Sequence, residues 1–360
     1  MEAIYENIHP ELKEEISRIF SPRSIYSNPK SKELMGWTKG SRSDIHRIFV
    51  TGEAEGKGLP HYAVKINYLE KDFFTEKAAF TITDKYAPGL FPKVLSLNSK
   101  ICDKYLALVL KVMDEPTLFN ELDEKEHKAK QFKISQKIDF DDIYPFLGIS
   151  LKIQTELSKD EKEISNELSR ISNGKVDSLD EIDAVKYADR FYNALTTINP
   201  NLRIKELWNL CYQYARNNLV GTLNEKQAIT QEDGWGDHVT RTGGLDGNSI
   251  KKGSWIQQIS CLIMHPKVFN KFNNAEEAVR KVADYCIRYT KRKESIEEVE
   301  RGLYQGGIYS NIRLSAFKKE NFNFGMKRAL IKQAKLLIKK NGSGNLEEKL
   351  ISILIPGIKL

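Results

Sequence analysis

A lysine inside an apolar strand, and an acid on the helix that follows it, are the residues of this chain best suited to chemistry on phosphates. Lys65 lies in the apolar run 62–66, which is typical of a buried strand, and Glu76 lies in 73–80, which has helical spacing. A lysine in a buried strand loses its hydration, so it is stable there only when a phosphate or a carboxylate neutralises it. We therefore expect Lys65 to pair with Glu76 and to be available for a phosphate.

A polar turn upstream is a second candidate for phosphate binding. Residues 37–50 run from a small, polar turn into alternating apolar residues, which predicts a hairpin of two strands. In the turn, Gly40 lets backbone N–H groups approach a phosphate closely, and the hydroxyls of Ser41 and Ser43 can donate to it.

Two further apolar segments, Leu90–Leu95 and Leu106–Met113, predict the remaining strands of a small sheet. Charged residues and Pro116 end the second segment, and a helix can begin after them. The backbone that follows Met113 would offer a donor and an acceptor to the edge of an adenine ring.

With these segments in place, the chain resembles the aminoglycoside phosphotransferase and choline kinase family of small-molecule kinases. The resemblance covers residues 36–335 and is carried by Ala63-Val64-Lys65, Glu76, Phe91-Pro92-Lys93-Val94 and Pro116-Thr117-Leu118. It implies an α+β, protein-kinase-like fold of two lobes. The small β-rich lobe would comprise residues 1–113, and the larger helical lobe would comprise residues 114–360.

The resemblance also implies an activity, namely transfer of the γ-phosphoryl group of ATP, with Mg²⁺, to a hydroxyl group of a small molecule. In that activity Lys65 would hold the α- and β-phosphates, and Glu76 would orient Lys65.

The resemblance implies a catalytic loop within residues 229–255, and this loop has two possible registers. Trp235-Gly236-Asp237 keeps the glycine and the aspartate of the family's His-Gly-Asp motif, and Asp233 is the second choice. Either Asp237 or Asp233 would then accept the proton of the substrate hydroxyl. Five residues after this aspartate the family carries a metal-binding asparagine, which is replaced here by Thr242 or by His238.

The metal site implied by the resemblance is altered as well. Ser254 stands where the family's Ile-Asp-Trp motif has its metal-binding aspartate, so the strongest Mg²⁺ ligand is missing. Asp246, helped by His238, would have to bind the metal instead, although imidazole suits Mg²⁺ poorly. Two interpretations remain open: an active small-molecule kinase, and a pseudokinase that binds a nucleotide or a partner without turnover.

Composition agrees with a protein of two lobes and excludes other classes. The 360 residues are 40% hydrophobic, which suffices for a substantial core. No apolar run approaches the roughly 20 residues of a membrane span, and the first residues lack the order of a signal peptide, so the sequence predicts a cytoplasmic protein without a membrane partner. Its 4 cysteines show no Cys-x-x-Cys spacing, which favours buried thiols over a zinc site.

The net charge of +7 is concentrated near the carboxyl end. Residues 313–340 contain 9 lysines and arginines against the single acid Glu320, on a segment with an apolar helical stripe. This segment is either a solvated helix face or the site of an anionic or protein partner. No nucleic-acid-binding motif accompanies it, and we expect no nucleic acid to bind.

Overall fold

A computed structural model gives the fold of the chain as mostly helical with a small antiparallel sheet. It describes residues 8–20, 25–26, 37–39, 43–50, 62–111, 113, 115–132, 136–171, 183–202, 205–220, 227–231, 235–245, 250–317, 322–341 and 346–355. The described residues form two compact units. The first draws on residues 1–116, 159–179 and 242–248, and the second on residues 117–158, 180–241 and 249–360.

The first unit is built on an antiparallel sheet. Its strands are β1 (Ile25–Tyr26), β2 (Trp37–Lys39), β3 (Ser43–Val50), β4 (Tyr62–Asn67), β5 (Lys93–Val94) and β6 (Ala107–Lys111). Their order is β1-β3-β4-β6-β5, and β2 pairs with β3. Strand β4 therefore lies between β3 and β6, with Lys65 opposite Ile45 on one side and opposite Leu108 on the other.

Alternation along β4 decides which side chains meet the core. Tyr62 and Val64 are buried in a cluster with Leu12 and Ile16 of helix α1 (Pro10–Phe20). Because successive side chains of a strand point to opposite faces, the alternation that buries Val64 against α1 turns Lys65 to the other face.

The other helices of the first unit are α2 (Glu70–Tyr86), α3 (Ser99–Tyr105) and α6 (Glu161–Ile171). Helix α6 is far from α2 in sequence but is joined to it by Glu167. This carboxylate accepts hydrogen bonds from Lys85 Nζ at 2.6 Å and from the Tyr86 hydroxyl at 2.7 Å.

The second unit is helical apart from one hairpin. Its helices are α4 (Leu118–Gln131), α5 (Phe140–Lys159), α7 (Ala184–Ile198), α8 (Lys205–Tyr214), α9 (Trp255–Ile263), α10 (Pro266–Phe269), α11 (Ala275–Thr290), α12 (Ile296–Phe317), α13 (Phe324–Asn341) and α14 (Leu346–Leu354). Short 3₁₀ and π turns occupy Pro200–Leu202 and Ala215–Val220. The hairpin pairs β7 (Gln227–Gln231) with β8 (Ile250–Ser254).

Helix α9 is the centre of the second unit, since each of its residues is buried. The last carbonyl groups of a helix have no partner within the helix, so a buried helix needs polar donors at its C-terminal end. Both Asn311 and Gln333 donate to the Met264 carbonyl at the end of α9, at 2.9 and 2.8 Å. At the start of α9, Gln154 donates to the Trp255 carbonyl at 2.9 Å.

Most elements predicted from the sequence are present. The hairpin over 37–50 corresponds to β2 and β3, and the apolar segment 106–113 contains β6. Only Lys93–Val94 of the segment 90–95 is a strand, and Pro92 before it has no N–H to donate to a neighbouring strand. None of the described helices combines the length and the apolarity that crossing a bilayer requires.

Phe191 provides a test of this packing. Its ring is fully buried and makes edge contacts with Tyr214 and Tyr309, at centroid distances of 5.2 and 5.4 Å. We expect Phe191→Ala to lower the free energy of unfolding by about 3–5 kcal/mol, because it leaves a cavity, and Phe191→Leu to cost about 1.5 kcal/mol or less.

Urea denaturation followed by circular dichroism measures these changes. Phe132 is 74% exposed, so Phe132→Ala should change the free energy of unfolding by no more than about 0.5 kcal/mol. Equal destabilisation by Phe191→Ala and Phe132→Ala would show that Phe191 is not in a packed core.

Candidate functional site

Lys65 and Glu76 form the ion pair expected from the sequence. Lys65 Nζ lies 2.5 Å from Glu76 Oε1, and Asn67 Nδ2 donates to Glu76 Oε2 at 3.2 Å. The Glu76 side chain is fully buried, and the Lys65 side chain is 14% exposed. A buried carboxylate is stable only when both of its oxygens are paired or hydrogen-bonded, and β4 supplies both partners.

The position of Glu76 follows from the helical stripe on which it lies. Phe73 and Phe80 are fully buried, and they stand one turn before and one turn after Glu76 on α2. Because residues three and four apart share one face of a helix, burying the two phenylalanines carries Glu76 into the interior with them. The adjacent Lys77 extends over the Phe73 and Phe74 rings and pairs with Asp103 at 2.7 Å.

Met113, proposed to lie at the adenine edge, is in contact with the glycine pair 243–244 of the same unit. A Cβ atom on Gly243 would lie 2.7 Å from Met113 Cε and 2.3 Å from the Leu90 carbonyl oxygen, so only glycine fits there. The next residue, Gly244, donates its N–H to the Leu90 carbonyl at 2.8 Å. These contacts place Gly244 of the predicted catalytic loop beside Leu90 and Gly243 beside Met113.

The other half of that loop, residues 235–241, is bound to the first turn of α4. The N–H groups of Leu118 and Phe119 donate to the carbonyls of Val239 and Gly236, at 3.1 and 2.9 Å. The first N–H groups of a helix have no partner within the helix, and here carbonyl groups of the loop accept from two of them. A Cβ atom on Gly236 would lie 2.3 Å from the Phe119 ring, so the contact requires glycine.

An ion pair with α4 holds the last residue of the same segment. Arg241 donates to both carboxylate oxygens of Glu121, from Nε at 2.6 Å and from Nη2 at 2.7 Å. Such a two-point contact holds the guanidinium plane in one orientation and limits movement of the loop.

Asp237 faces solvent within this anchored segment. Its side chain is 59% exposed, and its Oδ1 lies 4.0 Å from Nε2 of His238, whose side chain is 31% exposed. The described residues contain no group of three or more histidine, cysteine, aspartate or glutamate side chains arranged to hold a metal. The roles of Asp237 and His238 stay predictions.

Several other predicted site residues lie outside the described residues. They are Gly40, Ser41, Asp233 and Asp246. Ser43 begins β3, where its backbone pairs opposite Asn67.

The hairpin of β7 and β8 offers a third candidate register for the catalytic loop, beside those of Asp237 and Asp233. Gln227 is paired opposite Ser254, the residue that the resemblance aligns with the family's metal-binding aspartate. Residues that bind one ion must lie close together, and directly opposite residues of an antiparallel pair have Cβ atoms about 5 Å apart. If Ser254 stands at the aspartate position that the resemblance implies, Gln227 is a candidate for the position of the metal-binding asparagine.

In the family, the catalytic aspartate stands five residues before the metal-binding asparagine. If Gln227 stands at the asparagine position, Thr222 stands at the aspartate position and Gly221 precedes it, as the glycine does in His-Gly-Asp. Val220-Gly221-Thr222 was the signal in the sequence, although residues 221–226 lie outside the described part of the chain. In this register, neutral side chains stand at the catalytic position and at both metal positions. The Ser254 hydroxyl is buried and has no hydrogen-bond partner among the described residues.

Comparisons with known proteins agree with this architecture. No family model and no curated protein matches the sequence. Among solved structures, the chain is similar to the aminoglycoside phosphotransferase APH(2'')-Ib with ADP bound, at 14% identity and a TM-score of 0.51, over 96% of this chain and 99% of that chain.

A second similar structure is that of APH(2'')-IIa in complex with gentamicin, at 13% identity and a TM-score of 0.51, with the same coverage of 96% and 99%. At this identity the similarity concerns the fold. The chain has the protein-kinase-like fold of the aminoglycoside phosphotransferases, which confirms the resemblance at the level of the fold.

His265 packs beside the anchored loop and provides a test of it. Its ring lies 4.5 Å from that of Phe119 and 5.9 Å from that of Trp235, between centroids. Its Nδ1 accepts the Lys267 N–H at 3.2 Å, at the start of α10. Burial, together with the positive charge of Lys267, lowers the pKa of His265 from 6.5 to about 3.

We expect His265 to lower the free energy of unfolding as the pH falls from about 6.5 towards about 3. Over this range the unfolded chain binds a proton at His265 and the folded chain does not, so protonation favours unfolding. His265→Asn keeps a side-chain acceptor for the Lys267 N–H but does not titrate, so its stability should fall less.

Urea denaturation of both proteins at neutral pH and at about pH 4.5, between the two His265 pKa values, measures the difference. If the two free energies of unfolding fall by the same amount, His265 is not desolvated beside the loop.

Proposed function

We propose that this chain is a kinase-derived protein that binds ATP through Lys65 and Glu76, and that its magnesium-dependent phosphotransfer is impaired. The observation that carries the proposal is the buried ion pair of these two residues in a protein-kinase-like fold. The proposal includes two lobes, residues 1–113 and residues 114–360.

In the bound state, Lys65 would contact the α- and β-phosphates, while Glu76 holds the ammonium group in place. Asn67 supports this arrangement because it occupies the second oxygen of Glu76. Gly40, Ser41 and Ser43 would cover the phosphates, and the backbone at Met113 would meet the adenine. The neighbour with ADP bound supports a nucleotide as the ligand of this fold.

The donor groups fit magnesium poorly. Mg²⁺ in kinases is bound by carboxylates together with phosphate oxygens. Gln227 and Ser254 are paired in the β7–β8 hairpin, and in the register that this pairing supports the two metal positions would hold the Gln227 amide and the Ser254 hydroxyl. Neither group carries a charge to offset the desolvation of the ion, so these residues would hold magnesium weakly, which favours binding over catalysis.

A second candidate function is phosphotransfer to a small-molecule hydroxyl, as the names of the two similar structures suggest. The observation in its favour is Asp237, an exposed carboxylate on a loop held by Arg241 and by the α4 backbone. Asp237 would accept the hydroxyl proton as the acceptor attacks the γ-phosphate. Asp246 and His238 would then have to hold the metal.

The first test concerns Lys65. Lys65→Ala should weaken ATP binding by at least tenfold, about 1.4 kcal/mol, because the phosphates lose their cationic partner. Isothermal titration calorimetry with ATP measures the change. Lys77→Ala removes a neighbouring lysine that pairs with Asp103 instead, and it should bind ATP like the wild type. The ATP site lies elsewhere if both variants bind equally well.

The second test separates binding from catalysis. The wild type should bind ATP equally well with Mg²⁺ and with a chelator, and it should consume no ATP with aminoglycoside, amino-alcohol or nucleoside acceptors. The double variant Gln227→Asn, Ser254→Asp adds an amide and a carboxylate at the metal positions, so its ATP affinity should rise with Mg²⁺.

Asp237→Asn should leave ATP binding unchanged. If the wild type instead transfers phosphate and Asp237→Asn abolishes the transfer, the second candidate is correct and the binding proposal is wrong.

A further inference from the structure

The outer side of α13 carries an open groove that the proposed function does not use. Its volume is about 560 Å³, and its apolar floor is formed by Phe324, Ile331, Leu336 and Ile355, the last of which follows α14. Phe324 is 80% exposed, which is unusual for a phenylalanine on a helix whose opposite face is packed in the core. Such an apolar surface on a soluble unit indicates a site of interaction.

Four cations rim the groove: Lys327, Arg328, Lys332 and Lys335. Among the described residues, no acid lines the groove and no ion pair is formed by any of the four side chains. The ammonium groups of Lys327 and Lys332 instead lie over the rings of Phe322 and Phe269, at 5.1 and 5.2 Å.

The cations at the C-terminal end of the same helix, unlike those of the groove, are paired with acids. Lys339 and Lys340 pair with Glu276 and Glu300, at 3.0 and 2.9 Å. The cations near the end of α13 are therefore neutralised within the chain, whereas those of the groove concentrate positive charge around an apolar floor. Burial lowers the pKa of Lys332, and the charges of Arg328 and Lys137 lower it further, which agrees with excess positive charge there.

The shape of the groove selects among anionic ligands. From Phe324 to Leu336 the helix rises about 18 Å, at 1.5 Å per residue. The cations are distributed along this length, so the single head group of a fatty acid would reach only one part of them. A flat lipid surface would contact the rim and leave the floor unfilled.

We propose that this groove binds an acidic amphipathic helix of a partner protein. A helix laid along α13 repeats its contacts every three to four residues, which is also the spacing of the groove's cations. One face of the partner helix would place leucine-like side chains on Phe324, Ile331, Leu336 and Ile355. Its flanking glutamates and aspartates would meet the rim, as in other complexes of a helix in a groove.

A labelled peptide of about 18 residues, with leucines on one helical face and glutamates beside them, is a direct probe. A scrambled peptide of the same composition keeps the charge and removes the amphipathic pattern. Fluorescence anisotropy with the full chain should show binding of the patterned peptide, at least tenfold tighter than that of the scrambled one and weaker at high salt.

Two variants test the two parts of the groove. Arg328→Glu with Lys335→Glu reverses two exposed rim charges, and Phe324→Ser removes apolar floor. Each should weaken binding of the patterned peptide at least tenfold. The matched control is Lys152→Glu with Arg216→Glu, two exposed cations of the same unit outside the groove, which should bind the peptide like the wild type.

Hydrogen exchange locates the binding site, because the bound peptide should protect backbone amides within residues 324–336. The proposal is overturned if the patterned and scrambled peptides bind alike, if the groove variants bind like the control, or if protection appears elsewhere. It is also overturned if vesicles of phosphatidylserine and phosphatidylcholine bind through the same residues and the peptide does not. None of these outcomes depends on ATP, so the nucleotide proposal is tested separately.

Discussion

The burial of Glu76 is the constraint on which the first unit depends. Phe73 and Phe80 take this carboxylate into the interior of the unit, and an unpaired charge there would cost several kcal/mol. Lys65 and Asn67 prevent that cost only because they point to the same face of β4. The pairing thus ties the register of the central strand to the rotation of α2, and it leaves the Lys65 ammonium oriented by its partner.

A second constraint acts on backbone groups. The first turn of α4 needs acceptors for its N–H groups, and residues 235–241 provide two carbonyls. The close approach of Gly236 to Phe119 and the bidentate contact of Arg241 with Glu121 follow from the same docking. A loop held in this way has a defined shape, although its one described carboxylate, Asp237, points to solvent.

The distribution of charge on α13 shows how one helix can serve both stability and recognition. Its buried side and its paired cations, Lys339 and Lys340, belong to the packing of the second unit. Lys332 lies over the Phe269 ring, but the cations of the groove form no ion pair with another described residue, so the proposed partner could meet them without breaking one. Surface lysines alone would mean little, but an apolar floor between them makes the groove selective for an amphipathic ligand.

The sequence by itself determined the elements that depend on near neighbours. The alternation around Lys65 and the helical stripe around Glu76 are local patterns, and the pairing of these residues could be predicted from them. The pairing of Gln227 with Ser254 could not be predicted, because it joins two strands across a hairpin with a long connection. Strand pairing and the docking of 235–241 on α4 are decided by contacts between distant segments, whose free energy is set by the whole fold and is not encoded in local spacing.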